Sequence, residues 1–337
     1  MRRTILAFVA LIACRDREPE PPPLPVPHDG VTLIQPGTAP SSTLRYHPAR
    51  GTKTTHELAY DFDIKNDGQG SAMPTLVVEL ETAIDDVLAD GTTKLRITVV
   101  RTGVRDRPGS EDASDLLRGE AAAMRGVVIT QMLAPDGKVW DAHIETPAAL
   151  SDKVRAKLDR VSQSLERVAM RLPSEPVGVG ATWRERRTLP EGGIRAISET
   201  TSTLVSITGD TIAYATTGLS TGAPQTLEQD GAKLEVTDTH GRAEARGTID
   251  LARYAFDVAS TSTFTTTMNV VAPPGTPGAG SSTVEVTIAI QLRPPADPRP
   301  ADPPAAPGDP APVDPRAAPT APAAPAAVGT RRARGAR

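Results

Sequence analysis

Between Pro147 and Pro173 the apolar residues Leu150, Val154, Leu158, Val161, Leu165, Val168 and Leu172 recur at steps of four, four, three, four, three and four. That spacing lays one continuous apolar stripe along a helix of period 3.6. Both ends are specified. Thr146 can accept a bond from the first free backbone amides, Pro147 suits the first helical position where its missing N–H costs nothing, and Pro173 stops the run. The opposite face carries Lys153, Arg155, Lys157, Arg160, Arg167 and Arg171 against Asp152, Asp159 and Glu166, and is expected to be wet. Almost everything else alternates with period two, so a helix over 147–172 has antiparallel sheet to bury its stripe against. The predicted class is mainly β with one long central helix. The strands are expected to form an antiparallel meander, shaped as a curved sheet, a half-barrel or a pair of packed sheets.

Leu58, Tyr60, Phe62 and Ile64 alternate with Glu57, Ala59, Asp61 and Asp63, which predicts a strand with one buried face. Leu76, Val78, Leu80 and Ile84 repeat the pattern, as do Leu95, Ile97 and Val99. Asp67-Gly68, Asp90-Gly91 and Asp136-Gly137 fall between these runs and can supply the positive φ angles of tight hairpins. A weaker helical stretch, 110–124, has an expected apolar face of Ala113, Leu116, Leu117, Ala121 and Met124; strands resume at 127–133 and 139–144. Beyond the central helix, strands are expected at 194–207, 211–219, 227–236, 243–258, 260–271 and 284–292, with Gly209, Gly231 and Gly241 at their turns. Hairpins before and after the helix make an internal duplication conceivable, without a residue-level repeat.

The ends are of a different character. Met1-Arg2-Arg3 is a short basic start, Thr4 to Ala13 is an apolar run too short to span a bilayer, and Leu11-Ile12-Ala13-Cys14 follows at once. The pattern resembles a bacterial lipoprotein signal. The resemblance implies that residues 1–13 are a signal peptide and that Cys14, carrying diacylglyceryl on its sulfur and an acyl chain such as palmitate on its amine, is the lipidated N-terminus. An ordinary secretory signal with an incidental cysteine is the alternative. Arg15, rather than Asp, after the cysteine favours the outer membrane over the inner in bacteria that sort by this position. Cys14 is the only cysteine, so the chain can form no internal disulfide. Residues 14–42 are expected to be a linker, in which Pro19, Pro21, Pro22, Pro23, Pro25 and Pro27 make 15–27 an extended stalk reaching about 40 Å at about 3.1 Å per residue. Residues 294–337 are mostly Pro and Ala with a basic end, Arg331, Arg332, Arg334 and Arg337, and are expected to be disordered. The folded body is then 43–293, an antiparallel β domain around the helix at 147–172.

The segment Leu172-Pro173-Ser174-Glu175-Pro176-Val177-Gly178-Val179-Gly180-Ala181-Thr182-Trp183 leads into the second run of strands. With the cysteine motif, the proline stalk and the strand at 58–64, it is similar to a family of secreted bacterial β-rich envelope proteins of unknown function. That family has no assigned activity, so the resemblance implies no site residues. By shape, many strands with one or two helices also look like the open half-barrels that carry lipids or lipoproteins across the envelope, a fold-level analogy.

Local motifs give little chemistry. Gly218-Leu219-Ser220-Thr221-Gly222 matches the nucleophile-elbow pattern, and Asp230, Asp238 and His240 follow in hydrolase order. Ala223-Pro224 and another strand come next instead of the helix the elbow needs, so a hairpin loop is the better reading. His143-Ile144-Glu145 lacks the cysteine partners of a zinc deaminase. Asp61 to Gly68 resembles a calcium loop, but Lys65 stands at a ligand position. His47 and His56 have no third histidine near them in sequence. No catalytic, cofactor-binding or metal residue is therefore expected, and the chain is not expected to be an enzyme. A net charge of −4, or −6 without Arg2 and Arg3, argues against nucleic acid as a partner. The expected partners are the membrane, through the N-terminal lipid, and either a hydrophobic small molecule in the curved sheet or another envelope protein.

Overall fold

A computed structural model describes residues 30–146, 154, 155, 158, 161, 162, 165, 169–191, 194–229, 232–271 and 280–295. Residues 1–29, which include the expected signal peptide, Cys14 and the expected proline stalk, lie outside them, as do the tail beyond 295 and most of the 147–172 stretch. The first strands are β1 (Gly30–Gln35), β2 (Thr38–Ser42), β3 (Lys53–Asn66), β4 (Gln69–Ala72), β5 (Thr75–Val87) and β6 (Thr93–Arg105). Helix α1 (Glu111–Ala122) separates them from β7 (Val128–Leu133) and β8 (Val139–Glu145). After the central stretch come β9 (Val177–Val179), β10 (Thr182–Glu191), β11 (Ile194–Thr208), β12 (Thr211–Gly222), β13 (Gln225–Gln229), β14 (Ala232–Asp250), β15 (Ala255–Val271) and β16 (Gly280–Arg293).

The protein is mostly β. Fourteen strands form one open, curved antiparallel sheet, in which β1, β10, β11, β12, β14, β15, β16, β3, β5, β6, β7 and β8 lie side by side in that order. Here β13 extends the β12 side of β14 and β4 pairs with β3, while β2 and β9 form a separate ribbon. Each half is the expected meander. The pairing of β16 with β3 makes them a single sheet.

The turns follow the chemistry read from their residues. Asp67 and Gly68 take φ of 50° and 78° between β3 and β4, Gly91 takes 82° between β5 and β6, and Gly137 takes 86° between β7 and β8. The turn from β14 to β15 uses another device. Tyr254 stands at φ 52° and the Asp250 carboxylate accepts the N–H groups of Ala252 and Arg253, both at 3.0 Å. The expected strand 243–258 is therefore divided at 251–254. Gly241, expected at a turn, lies inside the 19-residue β14. The expected strand 227–236 is in turn split between β13 and β14.

The sheet begins earlier than the expected 43. Beyond the proline cluster that closes at Pro27, Val31 and Leu33 alternate towards the core, and β1 pairs along β10 with Leu33 opposite Trp183. In α1, Leu117, Ala121 and Met124 are buried but Leu116 is 66% exposed, because it falls at the edge of the stripe that recurs every four residues.

Of the central stretch, Val154, Arg155, Leu158, Val161, Ser162 and Leu165 are helical, and the four apolar residues among them are buried in the core. The helix does not reach 172. Residues 169–172 are non-helical, and their backbone groups bond elsewhere: Leu172 N–H donates to Asp136 O at 2.8 Å, and Trp183 Nε1–H donates to Arg171 O at 2.9 Å. Tertiary partners at this end replace the last helical turn.

The core joins these residues to Leu58, Val78, Leu80, Leu95, Ile97, Ile129, Tyr214, Ile249 and Leu292 of the sheet. Where Leu165 meets His56, Leu80, Ile97 and Phe256, the space left is about 20 Å³, room for a single water at most. His56 is 3% exposed and its Nε2 accepts the Phe256 N–H at 3.0 Å, which requires the neutral ring. Burial pushes its pKa down to about 4. The unfolded chain binds this proton below about pH 6.5 and the folded chain only near 4, so the stability held at neutral pH is lost as pH falls through that window. Urea unfolding is expected to show about 3 kcal/mol lost from this group between pH 6.5 and 4. A His56→Gln variant is expected to lose that share of the pH dependence.

Candidate functional site

The residues singled out by sequence do not converge. Ser220 lies inside β12, opposite Gly241 of β14 and Ser198 of β11. His240 stands opposite Thr221, the next residue, so Ser220 and His240 point to opposite faces of the sheet. Ser220 is buried, whereas His240 is exposed and bonds Asp238 at 2.8 Å on the outer face. Asp230 lies outside the described residues. A glycine-flanked serine in a paired strand is not an elbow, and no hydrolase triad can form from these residues.

The acids of the calcium-like stretch have protein partners. Asp61 accepts the Thr75 hydroxyl, Asp63 binds Arg107 at 2.8 Å, Lys65 reaches Glu285 at 2.6 Å, and Asp67 accepts the Thr283 N–H at 2.8 Å. His47 is paired with Asp210 at 3.4 Å while His56 is in the core, and His143 is exposed on β8. Among the described residues, no three His, Cys, Asp or Glu side chains are grouped to hold a metal ion.

What the register does assemble is a graded surface on the face that also carries the core. The core begins at the cross-strand row Leu58, Leu292, Val258, Gly247, Tyr214 and Leu204. Four residues further out along β3 the row reads Phe62, Ile288, Ser262, Ala243, Gly218, Thr200 and Glu185. The next reads Ile64, Val286, Phe264, Gly241, Ser220, Ser198 and Arg187. Across seven strands each row passes from large apolar side chains, through glycine, alanine and hydroxyls, to a charge.

Each part has a local cause. Phe62, Ile64, Phe264, Val286 and Ile288 are half-buried and lie outside the main core cluster. The Phe264 ring covers the backbone of Gly241, where a Cβ would stand 2.6 Å from Phe264 Cδ1. Gly218 leaves room in the same way for Thr200, whose methyl would lie 2.9 Å from a Cβ there. Ser198 and Ser220 are buried beneath their neighbours, and Ser202 and Thr216 share a hydroxyl bond of 2.9 Å one row nearer the core. At the polar end Arg187 Nη2 donates to Glu185 Oε1 at 2.6 Å, and both side chains are largely shielded. An arrangement of this kind can hold a molecule with an apolar part over β3, β15 and β16 and a polar part over β10 and β11.

The alternation of Val284 to Leu292 placed its apolar residues on one face, but nothing in any single strand shows which residues lie beside it. The small residues Gly218 and Gly241 inside strands are the one sequence signal for this surface, and they read as turn or loop residues. No protein-family model matches the chain, and no curated protein matches it. The assignment of this surface therefore rests on its geometry.

Because Ser220 is buried away from His240, the full chain is expected not to react with a fluorophosphonate probe at Ser220. Labelling followed by peptide mass spectrometry checks this, with Ser220→Ala as the control.

Proposed function

We propose that the chain is a lipid-anchored protein of the bacterial cell envelope, held in the membrane through Cys14, that binds an amphiphilic molecule across the graded face of its sheet. The observation that carries the reading is the pair of rows running from Phe62 and Ile64 to Glu185 and Arg187. A hydrophobic ligand gains about 1 kcal/mol for each 40 Å² of apolar surface it covers, and five half-buried large side chains offer several such patches. The ligand is seated on this outer part of the face. The space beneath Leu165, the place a central helix over a curved sheet would first suggest, is too small for it.

The helical positions Val154, Leu158, Val161 and Leu165 are read as one helix lying across the core end of a half-barrel. The short apolar run ending in Ala13-Cys14 supports the anchor, and Arg15 supports the outer membrane over the inner. No helix of the described residues is long and apolar enough to cross a membrane.

The second reading is a structural or assembly lipoprotein acting through protein contacts. Its support is the open sheet, whose edge strands β1 and β8 have no further partner among the described residues, with Ile34 52% exposed on β1.

Two experiments test these proposals. Cys14→Ser is expected to abolish incorporation of labelled palmitate and to move the protein from the membrane to the soluble fraction; a membrane fraction unchanged by the substitution would refute the anchor. Protein purified from native membranes is expected to yield an amphiphile by solvent extraction and mass spectrometry. Val286→Arg is expected to lose it while keeping its far-UV circular dichroism. An empty wild-type protein that instead cross-links in cells to a specific envelope protein would favour the assembly reading.

A further inference from the structure

The opposite end of the sheet carries a second feature, independent of the graded face. A surface cleft of about 420 Å³ is lined by Arg45, Ala134, Pro135, Asp136, Lys138 and Trp140, a volume in the range of small-molecule sites. Its floor is the turn between β7 and β8. Asp136 Oδ1 accepts the Lys138 N–H at 3.0 Å, and Gly137, at φ 86°, presses so closely on the neighbouring segment that a Cβ would lie 2.1 Å from Met170 O. Tyr46 N–H donates to Pro135 O at 2.8 Å, and Leu172 N–H donates to Asp136 O at 2.8 Å. The turn is thus clamped from two sides, so the walls are preorganised.

Among the described residues the charges in the cleft do not balance. The carboxylate of Asp136 is bound by Arg171 at 2.8 Å. The Arg45 guanidinium donates to three carbonyls, of Leu44 at 2.6 Å, Pro173 at 2.8 Å and Ser174 at 2.9 Å. Those bonds fix its position and leave its charge uncancelled. Neither Arg45 nor Lys138 is paired with a carboxylate among the described residues. Beside these cations Trp140 is 38% exposed, on a strand end opposite Met132, offering a flat apolar surface to solvent. The other tryptophan, Trp183, is buried at 1% exposure with its N–H bonded.

We propose that this cleft binds anionic sugars. The carboxylate or phosphate is held by Lys138 and Arg45 through charge-assisted bonds, and the C–H face of the sugar ring packs on the Trp140 indole. The two unneutralised cations select the charge, and the indole selects a ring of matching width.

The test titrates the full chain with glucuronate, glucose 6-phosphate, neutral glucose and inorganic phosphate, following the indole N–H resonances of the two tryptophans. Both sugar anions are expected to move the Trp140 resonance in a saturable way and to leave Trp183 unmoved, while glucose has no effect. Lys138→Gln is expected to weaken glucose 6-phosphate binding by about tenfold, with a similar loss when salt rises from about 0.05 M to about 0.5 M. Trp140→Ala, with folding checked on the Trp183 resonance, is expected to reduce the affinity for glucose 6-phosphate to that for inorganic phosphate, read by isothermal titration calorimetry. If neither sugar anion gives a saturable shift, the site is wrong. If inorganic phosphate binds the wild-type chain as tightly as glucose 6-phosphate, the ring plays no part and the proposal of a sugar fails.

Discussion

The pairing of β16 with β3 joins the two halves of this molecule. Ten cross-strand positions, from Val284 opposite Asn66 to Arg293 opposite Glu57, connect segments more than two hundred residues apart. Apolar pairs on the core face, Ile64 with Val286, Phe62 with Ile288 and Leu58 with Leu292, supply most of the attraction. The outer face adds Lys65 with Glu285 at 2.6 Å and Arg293 with Glu57 at 3.0 Å. These are exposed or partly exposed ion pairs, and such pairs serve register more than stability. Without this seam there would be two separate meanders, each with an uncovered apolar edge. Forming it requires a long loop to close before the contacts reward it, which places the fold among the slow, non-local β topologies.

The seam runs through both a packed part and a graded part of the core-bearing face, Leu58 with Leu292 at the packed end and Ile64 with Val286 at the graded end. At one end Val154, Leu158, Val161 and Leu165 meet Leu58, Leu80, Ile97 and Leu292, leaving almost no free space. His56 sits in this packing as a neutral acceptor for the Phe256 N–H. The segment 169–172 then leaves the helix because Asp136 and Trp183 engage its backbone. The Leu172 N–H, by bonding Asp136 O, also fixes the turn at Gly137. The cleft beside Trp140 therefore depends on where the helical stretch ends, although it is formed by residues of another hairpin.

On the graded part the chain places bulk on β3, β15 and β16 and removes it on β11, β12 and β14. Glycine inside a strand weakens it, yet Gly218 and Gly241 are where neighbouring side chains, Thr200 and Phe264, lie over the backbone. The same small residues keep Ser198 and Ser220 at the floor of the surface. Packing of large side chains and removal of bulk thus occur in one row, which is how a single sheet can present an apolar wall and a polar one side by side.

Local chemistry made several elements legible in the sequence. Alternation located β3, β5, β6, β11 and β16, because a strand with one wet face must repeat every two residues. Asp67-Gly68, Asp90-Gly91 and Asp136-Gly137 announced their turns because few other residues accept positive φ. The expected apolar face of Ala113, Leu116, Leu117, Ala121 and Met124 announced α1, although Leu116 is exposed in it. Non-local contacts decided the rest. β1 is a strand because Leu33 finds Trp183, Leu172 is not helical because its N–H finds Asp136, and Gly241 is mid-strand because Asp250 rather than glycine makes the turn. The candidate surface was hidden for the same reason. Each strand carried its own alternation, but which residues lie side by side is set by register across seven strands, and no period along one chain segment records it.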